Sequence, residues 1–235
     1  MRVAVIPARG GRKRISRKNI REVCGRPIIG WSIEAAQRSG CFDRIVVSTD
    51  DLEIAQIATK LGAEIPFVRP PELSGDHAPT VPVVQHAIHW FASNGQALDA
   101  VCCIYATAPF ILHSDISRAF EMLRERHAEF VFTVARYSHP IERALRRNDG
   151  GFVEMVAPGA YTSRTQDLET AYHDAAQFYW GTSDAWLSGK SVFPAASLPL
   201  VLPRHRVQDI DDGEDWLRAE LMFRTLREAH GMRCP

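Results

Sequence analysis

Short apolar runs alternate with amphipathic segments through the first half of the chain, and this alternation leaves few folds open. Arg2–Pro7, Arg44–Ser48, Ala100–Tyr105 and Phe130–Ala135 have strand length and strand composition, and Ala63–Val68 is a shorter run of the same kind. Between them, Ile28–Ser39, Asp51–Leu61, Val81–Ala92 and Ser114–His127 carry apolar residues at helical spacing. Leu52, Ala55, Ile57 and Ala58 fall inward on the second of these, and Gly62 stops it. Ile116, Phe120 and Leu123 do the same on the fourth. Strands separated by single helices imply right-handed crossovers. The expectation is an α/β fold with a mostly parallel, doubly wound sheet, Rossmann-like, and helices on both faces.

The pattern lapses near Arg136. From there to Tyr172 the chain is rich in Arg, Asn, Gly, Pro and Thr, with turns at Asp149-Gly150-Gly151 and Pro158-Gly159. This segment reads as an arm leaving the sheet, a hairpin or a subunit contact. Phe178–Gly181 returns to strand character, Lys190–Pro203 reads as loop, Arg206–Ile210 as a last strand and Gly213–His230 as a terminal helix. The expectation is one domain over 1–235 with 136–172 as an inserted arm.

Charge excludes some functions. Lys+Arg and Asp+Glu both number 28, so the net charge is zero. General binding to nucleic acid or to a membrane surface needs a broad basic field, and this chain has none. Five cysteines at irregular spacing give no CxxC metal pair, and Cys102 and Cys103 lie in an apolar run. Reduced thiols and a cytoplasmic location are expected. No apolar stretch approaches the length of a membrane span or a secretory leader.

Against that neutral background, Val3–Asn19 reads VAVIPARGGRKRISRKN. A buried strand ends at Pro7, and two glycines and six basic residues follow. In an open α/β sheet, ligands lie beyond the carboxyl ends of the strands, where this loop falls. Gly10 and Gly11 let the backbone N–H groups approach an anion. Arg9, Arg12, Lys13, Arg14, Arg17 and Lys18 supply charges suited to phosphate, and a triphosphate suits their density. The loop is neither GxxxxGK[ST] nor GxGxxG. The plainer alternative is a solvated basic loop.

A second constellation is Gln208-Asp209-Ile210-Asp211-Asp212. On a strand, Asp209 and Asp211 would project to one side, as a magnesium site beside phosphates requires. The alternative is a turn into a helix with Asp212 near its N-cap. Arg69, in Arg69–Leu73 (RPPEL), is either a holder of phosphate or carboxylate or an exposed arginine on a proline-stiffened loop. Thr80 is an N-cap or a ribose or base contact. Ser48–Asp51 (STDD) reaches the site or caps the next helix. His86 and His89 read as packing or surface histidines, and Phe178-Tyr179-Trp180 as core or as the wall of a sugar pocket.

IPARGGRKRISRKN resembles the signature loop of the acylneuraminate cytidylyltransferase (CMP-sialic acid synthetase) family, usually close to IPARGGSKxIxxKN. FDRIVVSTDD, RPPEL, IYATAPF and QDIDDGEDW resemble further blocks in the same order, so the likeness covers nearly the whole chain. IYATAPF and QDLETAYHDAAQFYWG resemble the pseudaminic acid branch; sialic acid members more often have glutamine where Tyr105 stands. The resemblance implies a nucleotidyltransferase that joins CTP and a nine-carbon 2-keto sugar acid into a CMP-sugar and pyrophosphate, with Mg2+ as cofactor. It implies that Arg9, Gly10, Gly11, Lys13, Lys18, Asn19, Arg69 and Thr80 bind the nucleotide, and that Asp209 and Asp211 hold the metal. Arg9, Lys18 and Asp211 would be catalytic, with Asp211 accepting the sugar hydroxyl proton. Tyr105, Arg164, Gln166, Gln177 and Tyr179 would contact the sugar acid, and the arm would make a homodimer. Arg12 stands where the family often has serine. The alternatives are the same reaction on sialic, legionaminic or another 2-keto acid, and a non-catalytic nucleotide-binding module, against which the presence of both Asp209 and Asp211 argues.

Overall fold

A computed structural model describes residues 1–11, 14–76, 78–193 and 196–229. In chain order the strands are β1 (Arg2–Pro7), β2 (Glu22–Val23), β3 (Arg26–Pro27), β4 (Arg44–Ser48), β5 (Ala100–Ile104), β6 (Phe130–Arg136), β7 (Leu145–Arg147), β8 (Val153–Met155), β9 (Tyr172–Thr182) and β10 (Ser197–Leu202). The helices are α1 (Ile28–Ser39), α2 (Leu52–Lys60), α3 (Thr80–Ser93), α4 (His113–Glu125), α5 (Ser183–Leu187) and α6 (Gly213–Ala229). Six strands form one sheet in the order β10-β6-β9-β5-β1-β4. β1 pairs in parallel with β4 and β5, and β10 in parallel with β6. Only β9 runs against its neighbours, pairing antiparallel with β5 and β6. The mostly parallel α/β sheet expected from the alternation is present.

The strand pleat explains why both faces need cover. Val3 and Val5 of β1 enter one apolar cluster, while Ala4 and Ile6 enter another. Val101 and Cys103 of β5 divide from Cys102 and Ile104 in the same way. Successive side chains on a strand point to opposite faces, so α1 and α4 with α2 cover one side and α3 with α5 the other. A third cluster stands apart from the sheet. In it Trp216, Ala219 and Phe223 of α6 pack on Ile15, Val23, Ile28 and Phe110. This cluster joins the end of the chain to the loop that follows β1.

Four expectations need correction. Ala63–Val68 makes only two isolated bridges, Val46 with Glu64 and Thr49 with Val68, instead of a full strand. Ser197–Leu202 is a six-residue edge strand within the segment expected to be loop. Arg206–Ile210 is not a strand: a 3-10 turn over Arg204–Arg206 leads into extended chain without a ladder. β9 is far longer than Phe178–Gly181, because it begins at Tyr172 and carries an irregularity. Its register jumps between Phe132–Tyr179 and Val134–Asp174, and Ala176 adopts a φ of 50° there. Such bulges re-aim side chains, and this one lies beside the cleft described below.

The segment between β6 and β9 holds the β7–β8 hairpin, a two-stranded sheet that among the described residues pairs with no other strand. It leaves Tyr137, Ile141, Leu145, Phe152, Val153, Val156 and Tyr161 exposed. Cys41, Cys102 and Cys103 are free and buried. Cys24 is disulfide-bonded, so the expectation of uniformly reduced thiols fails at that residue. Among the described residues no helix is long and apolar enough to cross a membrane.

Candidate active site

The loop after β1 starts on the neighbouring strand. The Ala8 N–H donates to the Ser48 carbonyl at 2.9 Å, and the Gly10 N–H donates to Asp50 Oδ1 at 3.0 Å. A Cβ on Gly10 would lie 2.5 Å from Asp51 Oδ2, so only glycine fits this approach. Gly11 faces open space. Asn19 is buried and its Nδ2 donates to the Arg9 carbonyl at 2.8 Å, closing the loop on itself. Arg9 pairs with Asp76 at 2.8 Å. Lys13, with Arg12 and His77, lies outside the described residues.

The basic residues of this loop divide by role. Arg14 is exposed. Arg17, in a left-handed conformation (φ 54°), donates to Asp51 Oδ2 at 2.5 Å and Oδ1 at 3.1 Å and also reaches Glu53. Its charge is spent on the start of α2 rather than on a general field. Asp51 caps that helix, accepting from the Ile54 N–H at 3.0 Å. Both readings of STDD therefore hold, since Asp50 reaches the loop and Asp51 caps.

Lys18 is different. It is only 2% exposed, and its Nζ lies 3.7 Å from Asp211 Oδ1. A buried ammonium is costly unless paired. Its partner comes from the far end of the chain, and the α6 cluster makes the meeting possible. Trp216 is buried there with the Arg21 guanidinium 4.4 Å over its ring, and Ile210 is fully buried beside it. Asp209 and Asp211 flank Ile210 and are both exposed, so the alternation expected of a strand survives without one.

The entry to α6 fixes this segment. Asp212 Oδ1 accepts from the N–H groups of Glu214 and Asp215 at 2.9 and 3.0 Å. Asp215 Oδ2 accepts in return from Asp211 and Asp212 at 2.9 and 3.2 Å. This reciprocal cap engages Asp211 through its backbone N–H. The Asp209 carboxyl is held above the usual carboxylate range, first because the surrounding protein displaces its water and next because Asp211 repels its charge; Lys18 opposes both. Two carboxylates that repel each other are a fit donor set for a divalent cation. Among the described residues no three His, Cys, Asp or Glu side chains cluster at metal-binding spacing. Magnesium needs only one or two carboxylates when phosphates and water complete its shell, so the pair suits it.

Arg69 is buried at 4% exposure. Its Nε donates to Ser48 Oγ at 3.1 Å and its Nη2 to the Ser48 carbonyl. Burial pulls the guanidinium down to about 10, with Asp50 opposing and Arg9 adding to the fall. It is not the exposed loop arginine of the plainer reading. Thr80 is the first residue of α3, with Pro79 at the N-cap position, so Thr80 is not the cap. Its Oγ1 lies 3.2 Å from the Tyr105 hydroxyl. The Tyr105 ring lies 5.4 Å from that of Tyr179, and Tyr179 donates to Asp174. Burial raises the pKa of both tyrosines, so both stay neutral. His86 packs edge-on against Phe67 at 4.7 Å and His89 is exposed, as expected. Of the aromatic run, Phe178 and Trp180 are core, while Tyr179 belongs to the hydroxyl chain.

A cleft of about 1040 Å³ opens between α6 and the ends of β6, β9 and β10. Asp209 and Asp211 line it with Arg136, His173, Asp174 and Arg204. Gln177 lies behind it, 2% exposed, with Nε2 donating to the Arg206 carbonyl at 2.6 Å and Oε1 without a partner. Arg164 and Gln166 are exposed on the arm and do not line the cleft. The structure thus joins Arg9, Gly10, Lys18, Asn19 and Asp211 in one region and leaves Arg164 and Gln166 apart from it. Sequence reasoning missed Asp76, Asp174, Arg136 and Arg204. Arg204 could not be found without β10, and no local pattern marks Asp174.

Comparison with known proteins gives a consistent picture. A family model described as "Cytidylyltransferase" matches residues 3–189. A pseudaminic acid cytidylyltransferase of Campylobacter jejuni is 44% identical over 227 residues, 97% of this chain and 98% of that protein. A CMP-N,N'-diacetyllegionaminic acid synthase of Legionella pneumophila is 31% identical over 234 residues, 97% of this chain and 98% of that one. Among solved structures, CMP:2-keto-3-deoxy-manno-octonic acid synthetase complexed with CTP superposes with a TM-score of 0.69 at 16% identity, over 97% and 99% of the two chains. That last likeness is one of fold.

Proposed function

The chain belongs to the cytidylyltransferase family, and from that premise we propose that it transfers CMP from CTP to pseudaminic acid, releasing pyrophosphate. The observation that carries the reading is the meeting of Lys18 with Asp211 at 3.7 Å, which sets a phosphate-binding loop against an acidic pair at the mouth of a parallel sheet. The identity to pseudaminic acid cytidylyltransferases over nearly the full chain supports the choice of sugar acid.

The reaction needs no covalent intermediate. The anomeric hydroxyl oxygen of the sugar acid attacks the α-phosphorus and a new P–O bond forms. The bond from that phosphorus to the bridging oxygen breaks, and pyrophosphate leaves with its electron pair. The hydroxyl proton passes to the Asp211 carboxylate, which the Asp215-held backbone presents to the cleft. Lys18 and Arg9, with the N–H group of Gly11, neutralise charge that grows on the transferring and leaving phosphates, while Gly10 shapes the nucleotide loop by holding it to Asp50. Asn19 keeps the loop shut around them through the Arg9 carbonyl, and Arg69 and Thr80 serve the nucleotide. Asp209 and Asp211 would hold magnesium, which when bound supplies Lewis-acid stabilisation of phosphate oxygens. Lys13 belongs to the same nucleotide set by its place in the loop motif.

Tyr105, Tyr179 and Gln177 form the sugar side, on the buried chain of hydroxyls that runs from Thr80 to Asp174. The exposed apolar residues of the arm support a homodimer, in which Arg164 and Gln166 would work across the interface. The reaction belongs in the cytoplasm, where CTP is made. The test is pyrophosphate release with each of the four nucleoside triphosphates, magnesium and a panel of nine-carbon 2-keto acids. CTP with pseudaminic acid is expected to give the highest kcat/KM. Release with another acid alone overturns the choice of sugar, and no release with any acid overturns the enzyme reading.

A further inference from the structure

This inference rests on the proposed reaction and concerns the sugar acid's carboxylate. In a 2-keto sugar acid that carboxylate is C1, bonded directly to the carbon that bears the attacking hydroxyl. Whatever grips C1 therefore aims the nucleophile. Arg164 and Gln166, which the resemblance places on the sugar acid, do not line the cleft of their own chain.

The sheet itself provides another holder. β10 lies beside β6 in parallel register, with Leu202 opposite Ala135. Arg136 follows Ala135 directly, and Arg204 follows Leu202 by two positions, so both stand at the carboxyl ends of adjacent parallel strands. That is the edge of an α/β sheet where ligands bind. Both line the cleft that contains Asp209 and Asp211. Neither guanidinium has a hydrogen bond or ion pair with another described residue. Their neighbours differ: Arg206 is tied to Asp115 at 2.7 Å, and Arg9 to Asp76 at 2.8 Å. Two guanidinium groups without a partner among the described residues, at adjacent strand ends and on one cleft, are suited to an anionic ligand. The triphosphate has its own donors in the opening loop, so the anion that remains is the carboxylate of the other substrate.

We propose that Arg136 and Arg204 bind the C1 carboxylate of the sugar acid and turn its anomeric hydroxyl toward Asp211. A planar guanidinium offers two parallel N–H donors to a carboxylate, which fixes orientation as well as position. The cleft then has a cationic end for the carboxylate and an anionic end for proton transfer.

The experiment uses the full chain with CTP, magnesium and either the sugar acid or its C1 amide, for the wild type and for Arg136→Gln, Arg204→Gln and the double variant. Each single change is expected to raise KM for the acid about tenfold to a hundredfold, the worth of a charge-assisted hydrogen bond. KM for CTP should stay within about twofold, since the variants leave the phosphate loop untouched. The wild type should prefer acid to amide, and the double variant should lose that preference, which a merely structural role would not cause. Arg136→Lys, keeping charge but losing the fork, should fall between. Both side chains are exposed and have no partner among the described residues, so the variants should melt with the wild type. An unchanged KM for the acid, or an intact preference for acid over amide in the double variant, overturns the proposal. An equal rise in KM for CTP also overturns it, assigning the arginines to phosphate. If the wild type turns over no nine-carbon acid, the reaction reading fails and takes this inference with it.

Discussion

Lys18 meets Asp211 at 3.7 Å in the proposed site. Its ammonium is almost sealed from water, and the carboxylate of Asp211 is half open to the cleft. The position therefore serves an incoming anion better than it serves stability. Lys18→Met keeps the length and apolar stem of the side chain and removes the charge. The expected outcome is a folded protein with an unchanged or higher Tm and a kcat/KM for pyrophosphate release lowered about a hundredfold to a thousandfold. Steady-state kinetics beside a thermal melt separate the two effects. Gly10 tests the same loop from the backbone side. An alanine there would drive its Cβ to 2.5 Å from Asp51 Oδ2, so the loop must move. KM for CTP should rise about tenfold, equivalent to about 1.4 kcal/mol, while KM for the sugar acid changes little. Equal changes in both constants would place the loop away from the phosphates.

At the scale of elements, α2 and α6 hold the opening loop from two sides. Arg17 clamps it to Asp51 at the start of α2, and the hydrogen bond from Arg17 is the main reason the Asp51 carboxyl titrates below its usual value; burial opposes the shift and the Ile54 N–H assists it. A carboxylate depressed in the folded state stabilises at pH above its unfolded value and loses that contribution as pH falls through the folded one. Asp51→Asn keeps a good N-cap and removes the charge. The wild type should therefore melt higher than this variant at pH 7, and the gap should shrink from about pH 4 downward. A gap independent of pH would mean that the pair with Arg17 adds nothing. The α2 clamp was half visible in the sequence, since STDD before an apolar periodic segment signals a cap. The α6 clamp was not. Trp216, Ala219 and Phe223 sit at helical spacing, but nothing local says that they cover Ile15 and Val23 rather than the sheet. The first-half strands and helices were legible because each buried face repeats in a fixed period. β10 was hidden because Pro199 interrupts an edge strand, where a missing N–H is tolerated. β9 was cut short because polar His173, Asp174 and Gln177 lie within it, and their reason is the cleft rather than the ladder. Asp209 and Asp211 lie close enough for one charge to act on the other, but not by the strand geometry that their spacing suggested. The spacing survives because Ile210 is buried between them.

For the molecule as a whole, zero net charge and an open cleft raise the question of what the arm is for. Seven large apolar side chains on Tyr137–Tyr161 are exposed, with Phe152 at 75% and Tyr161 at 77%. The β7–β8 hairpin pairs with no strand of the main sheet, and among the described residues these side chains stay exposed. A two-stranded hairpin is marginal in water by itself, and apolar surface gathered on one element marks an interaction face. A second copy of the chain is the simplest cover, because two arms exchanged about a two-fold axis bury each other with no further partner. Light scattering should therefore report twice the 26.3 kDa chain mass. Phe152→Glu combined with Tyr161→Glu should bring it to the single-chain value, since both side chains are exposed in one chain and make no core contact to lose. CTP binding should survive in that monomer, because Arg9, Gly10, Lys18 and Asn19 depend on α2 and α6 and not on the arm. Turnover of the sugar acid should fall, because Arg164 and Gln166 could then no longer reach a neighbouring cleft. A monomeric variant with wild-type kcat/KM for the sugar acid would confine the whole reaction to one chain and leave the arm only an assembly role.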